Sequence, residues 1–187
     1  MIESEYLTNH FLIAMPSLAD PSFSRTVTYI CEHNSDGAMG LVVNRPLNLS
    51  LGTVLQQVQL EPSNPQIALQ PIYLGGPIRR ERLFVIHQQD WSGELTLPIN
   101  DTLAITASRD ILIAIAQGDF PGQTLITLGY AGWGKGQLEE EMAANSWLSV
   151  EADQRVIFDT PDEQRWQIAA ASLGVDMSCL STQVGHA

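Results

Sequence analysis

The chain has 187 residues, of which 44% are hydrophobic and 16% charged, a balance typical of one compact domain rather than of a disordered chain. Its nine Lys and Arg residues stand against 21 Asp and Glu residues, which gives a formal net charge of −12. This charge argues against binding along an extended nucleic acid, because affinity for phosphates comes from clustered Lys and Arg that displace counterions.

Cysteine content and hydropathy indicate a cytoplasmic protein without a membrane segment. Cys31 and Cys179 are the only cysteines, too few for the disulfide framework of a small secreted domain. The opening residues MIESEY lack the basic region of a signal peptide, and no uncharged apolar run approaches the roughly 18 residues of a membrane helix. We therefore expect a single domain over residues 1–187, with reduced thiols.

The first half of the chain is predicted to consist of short strands and one helix. In chain order its elements are strands at 10–15, 26–33 and 38–44, a helix at 51–58, and strands at 71–75, 83–88 and 94–99. The strand segments are rich in β-branched residues and are separated by Gly, Pro, Asn or Asp. Ser50 could cap the helix, and residues 60–71, which include three prolines, are predicted to form a long exposed loop.

The second half is predicted to contain more helix. In chain order its elements are a strand at 102–106, a helix at 109–118, a strand at 124–131, a helix at 136–148, a strand at 155–159 and a helix at 161–174. Ser108 could cap the helix that ends at Gly118, and apolar residues nearly all around that helix predict deep burial. An apolar stripe on the last helix is formed by Trp166, Ala169, Ala170 and Leu173.

The order of these elements predicts the fold class. Strand mostly follows strand, with about four helices interspersed but no regular alternation. This order favours an α+β fold with largely antiparallel pairing over a doubly wound parallel sheet.

The segment YLGGPIRRER (73–82) is the first candidate binding region. Gly75 and Gly76 allow a sharp reversal, and Arg79, Arg80 and Arg82 are a third of all positive charges in the chain. If a strand continues through these residues, Arg80 and Arg82 share a face, about 7 Å apart, and could grip a carboxylate or phosphate. The alternative is that the arginines pair with the protein's own carboxylates.

The segment LGYAGWGKGQLEEE (128–141) is the second candidate region. A predicted strand runs into a glycine-rich stretch and a helix then begins, an arrangement whose backbone N–H groups attract anions. The candidate ligand-binding residues here are Gly129, Gly132, Trp133, Gly134 and Lys135, the only lysine. The spacing matches neither the phosphate loop nor the dinucleotide fingerprint, and a purely structural turn is the alternative.

Possible catalytic or metal-binding residues are few. Cys31, His33 and Asp36 are capable metal ligands, but a structural zinc site needs four ligands, and no second cluster exists. We therefore expect no metal and no cofactor. His87 reads as a polar residue at a strand end. An enzyme that uses Cys31, Glu32, His33 and His87 in one cleft remains an alternative, although no standard hydrolase motif is present.

Several segments together resemble the YqgE/AlgH family of bacterial proteins nearly end to end. They are residues 11–46, 73–87 and 128–148 and the terminal GHA, whereas 55–71 and 88–123 match more loosely and Leu83 replaces a glycine found in many relatives. The resemblance implies an α+β fold of coiled, mostly antiparallel sheets, partly barrel-like, with helices packed around them. It supplies no catalytic residues. The family is often labelled as transcriptional regulators, and one branch is described as regulating alginate biosynthesis.

Residues and resemblance together favour a non-enzymatic binding or regulatory protein. In this hypothesis the segments 75–82 and 129–136 form one surface that takes an acidic small ligand or a protein partner. Direct DNA binding is the least favoured alternative, because the charge is −12 and no helix-turn-helix pattern is present.

Overall fold

A computed structural model of the chain describes residues 6–181, so the terminal GHA motif lies outside the described residues. The strands are β1 (His10–Ala14), β2 (Val27–Asn34), β3 (Gly37–Val42), β4 (Pro46–Ser50), β5 (Pro71–Leu74), β6 (Ile78–Gln88), β7 (Thr96–Pro98), β8 (Leu103–Thr106), β9 (Thr124–Trp133) and β10 (Trp147–Glu151). The helices are α1 (Leu51–Gln57), α2 (Pro65–Ala68), α3 (Arg109–Gln117), α4 (Gln137–Ala143), α5 (Gln154–Phe158), α6 (Asp162–Ala171) and α7 (Met177–Ser181).

The strands form one curled sheet that resembles a half-barrel. Neighbouring strands follow the order β10-β1-β2-β3-β9-β6-β8-β7, and β4 joins this path through β5, which pairs with β9. All strand pairs are antiparallel except β5 with β9. The prediction of an α+β fold with mostly antiparallel pairing is confirmed. Four of the seven helices within residues 6–181 have seven or more residues, in line with the expected number.

Strand β9 organises the centre of the sheet because three strands pair with it. Its final residues pair with β3, where Ala38 lies opposite Trp133. Its first half lies between β5 on one side and β6 on the other. The turn from β5 to β6 therefore has to cross over β9, and this crossing positions the candidate site.

The helices cover the sheet with apolar faces much as predicted. In α3, the buried residues are Ile111, Leu112, Ile115 and Ala116, and Gly118 ends the helix in the left-handed conformation, at φ 78°. In α6, Trp166 is buried and its indole N–H donates to the carbonyl of Ala14. Leu173, expected on the same buried stripe, is instead exposed. Ser50 and Ser108 occupy N-cap positions, but neither side chain forms a cap hydrogen bond.

The predicted helix at 136–148 is wrong in its second half. Helix α4 ends at Ala143, Asn145 adopts a left-handed φ of 58°, and the chain then turns into β10. Strand β10 pairs with β1 at the edge of the sheet, with Trp147 opposite Ala14. No glycine or proline marks this turn, and Asn145, the residue type that can replace glycine after a helix end, was the one stop signal in the sequence.

The predicted strand at 155–159 is also wrong. These residues belong mainly to α5, whose N-cap residue Asp153 accepts a hydrogen bond from the Arg155 backbone N–H. Three consecutive apolar residues are too few for periodicity to separate a strand from a helix. The predicted loop at 60–71 contains α2, which Asn64 caps and which buries Ile67. Strand β4 and helix α7 were not predicted.

Among residues 6–181, no helix combines the length and the apolar character that crossing a bilayer requires.

Candidate functional site

The two glycine-rich stretches meet at the crossing of β5 and β6 over β9. The Gly75 backbone N–H donates to the Leu128 carbonyl, and the Gly75 carbonyl accepts from Val42, both at 2.8 Å. A Cβ added to Gly75 would lie 2.4 Å from the Gly129 carbonyl oxygen, and one added to Gly129 would lie 2.5 Å from the Gly76 oxygen. The main chains are therefore in direct contact, and these glycines allow the crossing rather than leaving space for a ligand.

A large bulge interrupts the pairing of β6 with β9 directly after this crossing. Ile78 lies opposite Tyr130 and Leu83 lies opposite Leu128, so four residues face the single residue Gly129. We call these four residues, Arg79–Arg82, the arginine bulge. All four are exposed, and Arg79 has a left-handed φ of 45°. The sequence argument that Arg80 and Arg82 share one face assumed regular pairing, which the bulge removes.

The three guanidinium groups of the bulge have no acidic partner among residues 6–181. Within residues 6–181, Arg79, Arg80 and Arg82 form no side-chain hydrogen bond and no ion pair; Arg82 packs over the Phe84 ring, 5.4 Å from its centroid. Other arginines donate to protein oxygens, namely Arg45, Arg109, Arg155 and Arg165. In the described part of the chain, these three arginines therefore do not neutralise the protein's own carboxylates, which was the alternative.

An apolar groove of about 370 Å³ adjoins the bulge. Arg82 and Glu94 are its charged lining residues. Its apolar walls come from β3, β6, β8 and the β7 region, and include Met39, Phe84, Leu95, Leu97 and Ile105. Leu95 and Leu97 are 56% and 44% exposed, high values for leucine. Sequence reasoning missed this groove, and its one signal was that Leu95 and Leu97 alternate with polar residues and so lie on one face of the predicted strand.

The second glycine-rich stretch divides between two environments. Gly132 pairs with Met39, and a Cβ at this position would lie 3.0 Å from the Cδ1 atom of Ile78, so Gly132 adjoins both the groove and the first residue of β6. Trp133 is instead buried, and its indole N–H donates to Glu141 at 2.8 Å.

The residues after Trp133 form the turn into α4. The Gly134 backbone N–H donates to the Gln137 side chain at 3.0 Å, and the backbone of Gly134 lies close to Gly37. Lys135 is exposed in the same turn. The contacts that bring the two stretches together thus come from Leu128 to Gly132. Trp133 ends β9 and is buried, and Gly134 and Lys135 belong to the turn into α4.

His33 is fully engaged in hydrogen bonds. Its Nδ1 accepts from the Leu7 backbone N–H at 2.9 Å, which leaves Nε2–H to donate to Glu139 at 2.8 Å. The first cause of the lowered pKa of Glu139 is a hydrogen bond from its own backbone N–H, and the His33 bond adds to the effect. This pair holds the N-terminal segment and α4 against β2.

The remaining candidates for catalysis lie in separate surroundings. Cys31 is buried in the main core, where burial raises the pKa of its thiol. His87 lies next to the last residue of β6, as the sequence predicts, but its side chain is fully buried. Its ring bonds to Thr106 and to the Gln88 carbonyl, at 2.7 Å each. Burial lowers the pKa of His87. Glu32 is exposed, so the four residues do not converge in one cleft.

The possible metal ligands of the sequence likewise do not come together. Across the part of the chain that the structure describes, no group of three or more His, Cys, Asp or Glu side chains could hold a metal ion.

Fold and site define a class of α+β proteins with a curled, mostly antiparallel sheet. The family model described as AlgH-like matches residues 11–178, and the chain belongs to this family, as its sequence resemblance implied. A UPF0301 protein of Nitrosococcus oceani is 56% identical over 182 residues, 97% of each chain. A UPF0301 protein of Thioalkalivibrio sulfidiphilus is 49% identical over 187 residues, 100% of each chain.

Two solved structures share the fold. The solution structure of the AlgH protein from Pseudomonas aeruginosa matches with a TM-score of 0.80 at 49% identity, over 100% of this chain and 99% of that one. A crystal structure of a Corynebacterium diphtheriae protein matches with a TM-score of 0.71, over 97% of this chain and 94% of that one. At 18% identity, the second match concerns the fold alone.

Proposed function

We propose that this protein is a non-enzymatic cytoplasmic binding or regulatory protein whose arginine bulge takes up an acidic small ligand or an acidic partner. One observation carries the proposal. Three exposed guanidinium groups lie within four consecutive residues, and none has a side-chain hydrogen bond or ion pair in residues 6–181. Guanidinium groups at this spacing repel one another, and a carboxylate or phosphate placed between them removes that repulsion while accepting charge-assisted hydrogen bonds.

The glycines have an indirect role in this proposal. Gly75, Gly76 and Gly129 shape the bulge by allowing the strands to cross in contact, and Gly132 borders the first residue of β6. Of the other residues expected on the same surface, Trp133 is buried at the end of β9, and Gly134 and Lys135 form the turn that follows it in sequence. Lys135→Ala tests whether that turn contributes to binding.

Isothermal titration of citrate and ATP at low salt tests the proposal. We compare the wild type with an Arg79→Ala/Arg80→Ala variant and with a control, Arg109→Ala/Arg155→Ala, that also removes two positive charges. Both control residues have protein oxygens as partners. We expect the bulge variant to lose about tenfold or more in affinity, or about 1.4 kcal/mol, and the control to stay close to the wild type.

Two results would contradict this expectation. Negligible heats with the wild type for both anions would overturn the small-ligand form of the proposal. Equal losses in the two double variants would show that overall charge, rather than the bulge, attracts the anions.

A further inference from the structure

We propose, on the basis of the function proposed above, that the ligand is a small amphipathic acid: its apolar body occupies the groove beside β7 and its acid group contacts Arg82. The juxtaposition that carries this inference is a groove with mostly apolar walls directly beside an arginine that has no acidic partner in residues 6–181.

The apolar part of the ligand follows from the groove. Leu95 and Leu97 expose about half of their surface, and they line the same depression as Ile105 and Met39. Exposed apolar side chains that line one depression offer a place where the apolar part of a ligand can be buried. The volume of about 370 Å³ is at the lower end of the range of small-molecule pockets, about 300–1,000 Å³, and suits a short alkyl chain or an aromatic ring.

The acid part follows from the position of Arg82. Its guanidinium carbon lies 5.4 Å from the Phe84 ring centroid, and Phe84 is itself a wall of the groove. Stacking on an aromatic ring holds the planar guanidinium group in place while its N–H groups stay available to a carboxylate. Glu94 is the other charged lining residue, and its negative charge would repel a second acid group elsewhere in the groove. A ligand with a single acid group on an apolar body therefore fits the groove.

A small molecule fits this groove better than an added polypeptide strand. Strand β7 lies at an end of the sheet path and pairs with β8, so its other edge is where a peptide would add. That edge has three residues, and Pro98 has no backbone N–H. Short edge strands with proline resist strand addition, because main-chain hydrogen bonds supply the affinity in that binding mode.

The test uses three probes: decanoate has both an apolar chain and an acid, decanol has the chain alone, and citrate has acid groups alone. Displacement of anilinonaphthalene sulfonate fluorescence reports decanoate and decanol, and calorimetry reports citrate. We expect the wild type to bind decanoate about tenfold more tightly than either of the others. Leu95→Asn/Leu97→Asn, which adds no charge, should weaken decanoate about tenfold and leave citrate unchanged.

Two further variants complete the design. Arg82→Gln should weaken decanoate and citrate but not decanol. The control Leu69→Asn changes another exposed leucine, outside the groove lining, and should behave as the wild type. Circular dichroism and thermal unfolding check that each variant is folded.

The outcomes separate this inference from the function on which it rests. If decanoate and citrate bind equally and both depend on the bulge arginines, the amphipathic ligand is refuted and anion binding stands. If neither binds the wild type, the small-ligand proposal fails as well. If size-exclusion chromatography shows a dimer that the leucine double variant dissociates, the groove is an interface between two copies, and the inference is wrong.

Discussion

Two glycines with the same backbone conformation but different surroundings provide a sharp test of the strand crossing. Gly129 and Gly136 have φ values of 77° and 76°. A Cβ added to Gly136 meets no atom within 4 Å, whereas one added to Gly129 meets the Gly76 carbonyl oxygen at 2.5 Å and the Ile78 carbonyl oxygen at 3.1 Å. Alanine substitution at Gly136 therefore measures the conformational cost alone, and substitution at Gly129 adds the steric cost of separating two main chains.

The two costs differ enough to be resolved. Placing an L-residue in the left-handed region costs about 1–2 kcal/mol at either position. Overpacking adds about 1–3 kcal/mol at Gly129, where the obstacle is main chain that cannot rotate away. We expect Gly136→Ala to lose about 1–2 kcal/mol and Gly129→Ala about 2–5 kcal/mol. At about 2–4 °C per kcal/mol for a chain of this size, Tm falls by about 2–8 °C and about 4–20 °C, respectively.

Urea and thermal unfolding of both variants and the wild type measure the difference. The reasoning would be refuted if Gly136→Ala and Gly129→Ala lost the same stability within about 0.5 kcal/mol, because the crossing would then tolerate the added methyl group. Citrate titration of Gly129→Ala under native conditions then measures whether the bulge depends on this crossing: we expect weaker binding with all three bulge arginines still present.

Four other predictions follow from titratable groups and charge. The wild type should be more stable than Glu139→Gln at neutral pH, because the folded state lowers the pKa of Glu139 and so favours its ionised form. The two free energies of unfolding should converge as pH falls below 4.5 and the carboxylate takes up a proton. Burial and a hydrogen bond to Asp162 raise the pKa of Tyr73 to about 12. The free energy of unfolding of the wild type should therefore fall more steeply than that of Tyr73→Phe as pH rises from 10 to 12. A thiol reagent should label exposed Cys179 in the native protein and buried Cys31 only after unfolding. A gel-shift assay at low salt should show no retention of duplex DNA.

The fold class and most helices and strands could be predicted from the sequence because local patterns determine them. The elements with strong periodicity or clear end signals were predicted correctly, as in α3, where Gly118 ends the helix. Errors fell where the local signal was weak. Residues 144–151 turn into an edge strand after only the weak stop signal of Asn145, and the three apolar residues of α5 suited either structure. In both segments, packing against the rest of the sheet decides the conformation.

Only part of the candidate site could be predicted from the sequence. Gly75, Gly76 and the arginines could be identified by composition alone, since a third of the positive charge lies in four residues. The bulge could not be identified, because it depends on the register of β6 against β9, and strand sequences fix register only through distant partners. The groove was missed for the same reason: Met39, Phe84 and Leu97 are far apart in the chain and come together only in the sheet.

In the proposed function, the bulge is the feature that lets so acidic a protein attract an anion. Three arginines and Glu81 leave a local charge of two positive units, whereas the chain as a whole carries −12. At physiological ionic strength the Debye length is about 8 Å, so most exposed carboxylates elsewhere are screened from a ligand at the bulge. Regular pairing would place these side chains alternately on the two faces of the sheet, whereas in the bulge four residues lie opposite one and all four are exposed. The field that an approaching acid meets is therefore set by the register of two strands, and its attraction should decline steeply as salt is added.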